Sequence, residues 1–428
     1  MSKILLHGGC VLTLGARTPN FTEADVLIDG DRIAEVGPGL RARDAEVVDA
    51  ADTIVMPGFV DTHRHVWKSL FRNQGGPGGQ DSASEALGAR FGPDEVYAAT
   101  LVGLLGAAEA GITTVVDWSD IPAGEAPADA ALQAHLDAGL RTVMIHSASD
   151  GGETGVALRR LLAARGGSGY LTSIAYGAPD LSLTAGDWAT ARELGLQIHA
   201  HAGREPSSAG VVAALAKRGH LGADVTLIHC SHLGDADLDG IASSGTSVSL
   251  TPASEMAAGM GSPPMQKLID RGIRPGLGID SDQVAPGDMF AQMRSAISLQ
   301  HATYFDLKLA GKAGLPNLLT TREVIRYATI DGARAVGLGG VTGSLEPGKQ
   351  ADIVVLRADR PNIVPVNDPI GAVVWGMDTS NVDWVFAAGQ PVMSNGVLGA
   401  DVERARTLAT EASQRLSGLS AVATGGGG

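Results

Sequence analysis

Residues 57–65 read PGFVDTHRH, and the rhythm of the chain changes there. Before Pro57 the apolar residues come in short runs broken by turns: KILLHGGCVLTL, then ADVLIDGDRIAEVG with a turn at Gly30-Asp31, then AEVVDAADTIVMPG. That spacing predicts an antiparallel β unit. From Phe59 onward strand-like runs alternate with helix-like runs. FVDTHRH precedes PDEVYAATLVGLLGAAEAG, TTVVDWSD precedes ADAALQAHLDAG, and RTVMIHSAS precedes VALRRLLAARGG. LTSIAYGAP, QIHAHAG, VTLIHCSHL, SVSLTPASE and RPGLGIDSD continue the series, each followed by a helical stretch. Most of these strands are apolar without strict alternation, as strands buried on both faces are.

Eight such units predict an α/β fold, a (β/α)8 TIM barrel. An open doubly wound sheet is the competing architecture, but its first strand would lead into a glycine-rich phosphate turn, and none is present. After the barrel, ATIDGARAVGL reads as a helix, and VTGSLEPGKQADIVVLRAD and WVFAAGQPVMSNG return to short strands. Both chain ends are therefore expected to build one small β-sandwich beside the barrel. The divisions are 1–56 and 345–405 for the sandwich, 57–344 for the barrel, and 406–428 for a C-terminal helix and a disordered tail ending in GGGG.

Totals narrow the function. At 428 residues with 44 % hydrophobic content, the chain can bury a sizeable core. A formal net charge of −15 and the lack of a dense Lys/Arg block exclude a nucleic-acid binder. No run of about 18 apolar residues signals a membrane span. The N-terminal MSKILLHGGCVLTL is broken by His7, Gly8 and Gly9 and reads as a strand and not a signal peptide. Two cysteines, Cys10 and Cys230, make no disulfide framework, so a cytoplasmic setting is expected.

In a barrel the reactive groups stand at the C-terminal ends of the strands. Those ends carry Asp61, His63 and His65 (first strand), His199 and His201 (fifth), His229 with His232 beyond it (sixth), and Asp280 and Asp282 (eighth). Six of the eleven histidines are gathered there, which is more than scattered surface histidines would give. Side chains two apart on a strand share a face, so His63 and His65 can reach one ion. Imidazoles plus a carboxylate suit Zn²⁺, and also Fe²⁺ or another first-row divalent ion. Such a site keeps a position for water, whose pKa the metal lowers to about 7.

PGFVDTHRH, GITTVVD, the ordered histidines and aspartate, and the closing GSLEPGKQADIVVL together resemble the amidohydrolase superfamily. More narrowly they resemble its cytosine deaminase-like branch, with nucleobase and adenosine-type deaminases and triazine hydrolases. The resemblance covers nearly the whole chain. It implies one divalent metal per chain, zinc first and iron second, held by His63, His65, His201 and Asp280. His199 is then a supporting partner, Asp282 a reserve ligand, His229 a contact to water or substrate, and Asp280 the base. Strand four, LTSIAYGAP, has no lysine, so a mononuclear site is implied. The substrate is a small molecule, and a homodimer is compatible with the resemblance.

One departure stands out. Deaminases of this branch carry a glutamate three residues after the fifth-strand histidine, and here that residue is Arg204. A guanidinium is no acid near neutral pH. Glu205 by way of a bulged loop, His232 in HCSHL, and Glu255 in TPASEM are the candidate proton carriers. Arg204 itself can clamp a carboxylate, stabilise an oxyanion or sit in a surface ion pair. Trp67, Phe71, Arg72 and Trp118 are expected around a flat substrate, with Met256, Met260 and Met265 opposite. The expected activity is hydrolysis of a C–N or C–X bond in a small cyclic or heteroaromatic compound. The alternatives are elimination or hydration at the same metal, or a barrel that keeps its metal and has lost catalysis.

Overall fold

The computed structural model describes residues 3–74, 87–121, 124–147, 154–166, 171–178, 181 and 185–424. The GGGG tail lies outside these residues.

All eight expected barrel strands form: Phe59–Arg64, Ile112–Ser119, Arg141–His146, Thr172–Ala178, Ile198–Ala202, Val225–His229, Ser247–Leu250 and Gly276–Leu277. They pair in sequence order, every neighbour parallel. Closure comes from backbone bonds between the first and eighth segments. Asp280 N donates to His63 O at 2.8 Å and His65 N donates to Asp280 O at 2.7 Å. The Asp61 carboxylate adds to the seam, accepting from Ile279 N at 3.0 Å and His63 N at 3.3 Å. Gly278 is required at the seam, because a Cβ there would stand 2.7 Å from His63 backbone atoms.

Two apolar layers result. Val60, Val116, Val143, Ile145, Ala175 and Ile228 fill the barrel interior, with Ala333 and Val336 plugging its floor. Outward residues such as Phe59 pack on the helix ring, Phe59 meeting Phe290 edge-on at 5.0 Å. Burying each such side chain contributes about 1.5–3 kcal/mol.

The chain ends meet as expected. Thr53–Pro57 pairs antiparallel with Ile353–Arg357, joining five N-terminal to four C-terminal strands. Hydrogen bonding is continuous through all nine, and the sheet closes over a core of its own that includes Val26, Val55, Val355 and Phe386. Arg141 ties this unit to the barrel through two bonds to Asp352, at 2.7 and 3.0 Å. A helix over Val402–Thr424 follows, held to the barrel by Arg415 and Glu95. Among the described residues no helix is long and apolar enough to cross a membrane.

Candidate metal centre

The register of the first strand slips between Asp61 and Arg64, a bulge that turns His63 and His65 toward the barrel mouth and leaves Arg64 outside. The eighth strand stops at Leu277, and Asp280 takes φ +65. His229 and Cys230 also adopt positive φ, +72 and +62. Such backbone is costly for residues with a Cβ and gathers where side chains must be aimed at a site.

These turns bring the expected ligands together. Asp280 Oδ1 lies 3.5 Å from His63 Nε2 and 3.5 Å from His65 Nε2. His201 Nε2 lies 3.3 Å from His63 Nε2. Two triplets of donor atoms share His63: His63, His65 and Asp280, and His63, His201 and His229, each within 4.8 Å. His229 thus shares a donor triplet with His63 and His201, closer than a purely peripheral role requires.

The donor chemistry fits a cation. Burial holds the His63 imidazole down to about 3 and His201 well below its ordinary value, neighbouring histidines and Arg204 adding to the second effect. Both rings are therefore neutral, with their Nε2 atoms facing one another at 3.3 Å. Burial opposes ionisation of Asp280, but the His63 contact and the surrounding histidines keep its carboxyl well below the usual range. Neutral imidazoles and an ionised carboxylate converging on one point are the ligand set of a divalent metal.

Supporting contacts orient the rings. His65 Nδ1 bonds to Asp120 Oδ1 at 2.8 Å, and Trp67 Nε1 donates to the same oxygen. Although burial acts against it, the charge and hydrogen bond of His65, with Lys68, bring Asp120 down to about 2. Asp120 was not singled out from the sequence; its position two residues past Trp118 at a strand end was the available signal. His229 Nδ1 bonds to the fully buried Glu255 Oε1 at 3.0 Å, and that oxygen also accepts from Thr251 N at 3.0 Å. Carboxylate–histidine pairs of this kind fix tautomer and ring direction.

Other expected residues fall elsewhere. Trp118 faces inward, its ring 4.2 Å from that of His201. Trp67 packs edge-on against Phe71 and Phe91 in the outer core and reaches the centre only through Asp120. Arg72 and Asp282 form a pair at 2.6 Å on the outside of the barrel, joined by Arg64 and Ser69. Arg64 alternates with His63 and His65 and so faces the helices, and Asp282 meets it there beyond the positive-φ turn at Asp280. His199 is fully buried, and neither ring nitrogen has a partner among the described residues. Glu205 is exposed, and among the described residues its carboxylate accepts only from Ser207 Oγ, at 3.5 Å. His232 rests its ring against Gly261. Met265 is core, and Met256 is exposed.

Residues 54–392 match the model of the amidohydrolase family. A 5-methylthioadenosine/S-adenosylhomocysteine deaminase of Symbiobacterium thermophilum is 28 % identical, the alignment covering 92 % of this chain and 94 % of the relative. An adenosine deaminase of Xanthomonas campestris with bound zinc superposes with TM-score 0.84 at 21 % identity, over 97 % of this chain and 99 % of that one. An atrazine chlorohydrolase of Arthrobacter aurescens complexed with zinc gives TM-score 0.83 at 24 % identity, over 96 % of this chain and 100 % of the other. The chain belongs to the amidohydrolase family and is a hydrolase of carbon–nitrogen bonds.

Proposed function

We propose that the protein is a mononuclear metal-dependent hydrolase that removes an amino group from a small nitrogen heterocycle. The observation that carries this reading is the convergence of His63, His65 and His201 Nε2 with Asp280 Oδ1 at the barrel mouth. The deaminase relative supports a nucleoside-like or nucleobase-like ring as substrate. Zinc suits the donors, and Fe²⁺ is the second choice. When bound, the metal supplies a water activated at neutral pH and polarises the carbon under attack.

The residues divide the remaining work. Asp280 Oδ1 faces His63 and His65, so its other oxygen takes the proton of the attacking water. His229, aimed by Glu255, holds the water or the substrate heteroatom at its Nε2. Trp118 bounds the site behind His201 and helps to keep bulk water out. The leaving group receives no proton from a side chain at position 204, because the Arg204 guanidinium does not release one near neutral pH. Asp280 then passes on the proton it has taken, or Glu255 assists through His229. The free thiols Cys10 and Cys230 support a cytoplasmic setting.

Arg204 also favours a second reading, departure of a group that needs no proton, such as chloride. Elemental analysis with product assays on aminated and chlorinated heterocycles separates the two. About one metal per chain with ammonia release supports deamination. Metal with chloride release and no ammonia moves the assignment to C–X hydrolysis. A protein that binds no divalent ion overturns both.

A further inference from the structure

We infer that Arg204 forms an anion subsite at the rim of the metal centre, so that the substrate carries a carboxylate or similar acidic group beside the scissile bond. This rests on the hydrolase reading above and specifies its substrate class.

The first support is placement. Strand five ends at Ala202, and the next turn is pinned to the end of strand six. Cys230 N donates to Ala202 O at 2.8 Å and His232 N to Gly203 O at 2.9 Å. Gly203 has φ +63, and a Cβ there would press on Leu233 and the Cys230 backbone at 3.0–3.1 Å. Arg204 therefore leaves a fixed turn, three residues past His201 and beside the segment that presents His229.

The second support is a count of partners. Asp280 is turned to His63 and His65. Asp120, the partly exposed acid at the mouth, is engaged by His65 and Trp67. Glu205 turns to Ser207. Arg204 is exposed and has no hydrogen bond or ion pair among the described residues. In a chain of net charge −15, an arginine without an acid partner beside a centre that takes a cation is a local reversal of sign. Its planar fork matches a carboxylate in two parallel bonds.

The test is calorimetric binding of matched pairs, each an aminated heteroaromatic acid and its primary amide, with 2-aminonicotinate and 2-aminonicotinamide as the first pair. Wild type, Arg204→Gln and Arg204→Lys are each titrated zinc-loaded and zinc-stripped. Wild type is expected to bind the acid roughly tenfold or more tighter than the amide in both forms, the range of a charge-assisted hydrogen bond. Arg204→Gln should lose the preference, and Arg204→Lys should keep part of it. Equal affinity for acid and amide in wild type, for every pair, overturns the inference. So does a preference that survives in Arg204→Gln, or one that vanishes on stripping zinc, since it then belongs to the metal. Failure of the hydrolase reading looks different: no bound metal or no product, with the acid preference of the stripped protein intact.

Discussion

His63, Arg64 and His65 are consecutive, as are Asp280, Ser281 and Asp282, yet their side chains build two opposite environments. On the inner face, imidazole nitrogens and a carboxylate oxygen converge, and His63 Nδ1 has no partner among the described residues. On the outer face, opposite charges are paired. Asp282 Oδ2 accepts from Arg64 at 3.0 Å, Arg72 at 2.6 Å and Ser69 at 3.1 Å. A buried cluster whose charges cancel within the chain is scaffold. A buried cluster of donors with no cation of its own is built for something brought in from outside. Alternation sets Arg64 against His63 and His65, whereas Asp282 reaches the outer face beyond the positive-φ turn at Asp280.

The largest effect should come from the inner face. Asp280→Asn preserves shape and removes both a proposed metal ligand and the proposed base. Turnover is expected to fall by about 10²–10⁴-fold, with the circular dichroism spectrum unchanged. Activity within tenfold of wild type would place the reaction centre elsewhere and break the contrast.

The outer face should answer in stability instead. Asp282→Asn strands the Arg64 guanidinium, only 1 % exposed, beside a single more distant acid, Asp61 at 3.7 Å. Breaking a buried pair in this way costs about 3–5 kcal/mol, read as a drop in the urea midpoint. The protein that remains folded should keep its metal. If the metal is lost while the midpoint holds, Asp282 and not Asp280 is the ligand.

Glu255→Gln sharpens the comparison from a third direction, because Glu255 is buried yet serves the inner face through His229. Loss of this support is expected to lower activity about 10–100-fold, as for other partners of site histidines, with metal content near wild type. An unchanged rate would mean that Thr251, 3.3 Å from His229 Nδ1, suffices to hold the ring.

The legible parts of this architecture were those set by periodicity. Apolar runs recurring with helical stretches announced the barrel, and polar residues at the strand ends announced the centre, because both follow from local chain geometry. What stayed hidden depended on non-local packing. The bulge at Thr62 and His63 decides which residues face in, and no local pattern marks it. Spacing alone left Asp280 and Asp282 equivalent, and only the seam with the first strand separates them. Asp120 and Thr251 act through partners 55 and 22 residues away, contacts that exist only once the barrel closes. Arg72 looked like a mouth residue because it follows His65 closely, but the intervening turn over Val66–Phe71 carries it to the outside.

His199 and His201 pose the same problem on one strand, two residues apart on one face. His201 meets His63, whereas His199 is fully buried with both nitrogens unpartnered among the described residues. Burial holds His199 down to about 4, against an ordinary value of 6.5. The unfolded chain therefore takes up a proton at His199 before the folded one does. Stability is unaffected by this group above pH 6.5, declines as pH falls from 6.5 to about 4, and levels off below. His199→Leu removes the titration and an unsatisfied polar ring. At pH 8 it should leave metal content unchanged and alter stability by only about 1 kcal/mol, in the stabilising direction. Between pH 6.5 and 4 its denaturation midpoint should fall less steeply than that of wild type. Loss of metal in His199→Leu would exchange the roles of the two histidines. An acid slope equal to wild type would show that His199 is already hydrated and titrates as an ordinary imidazole.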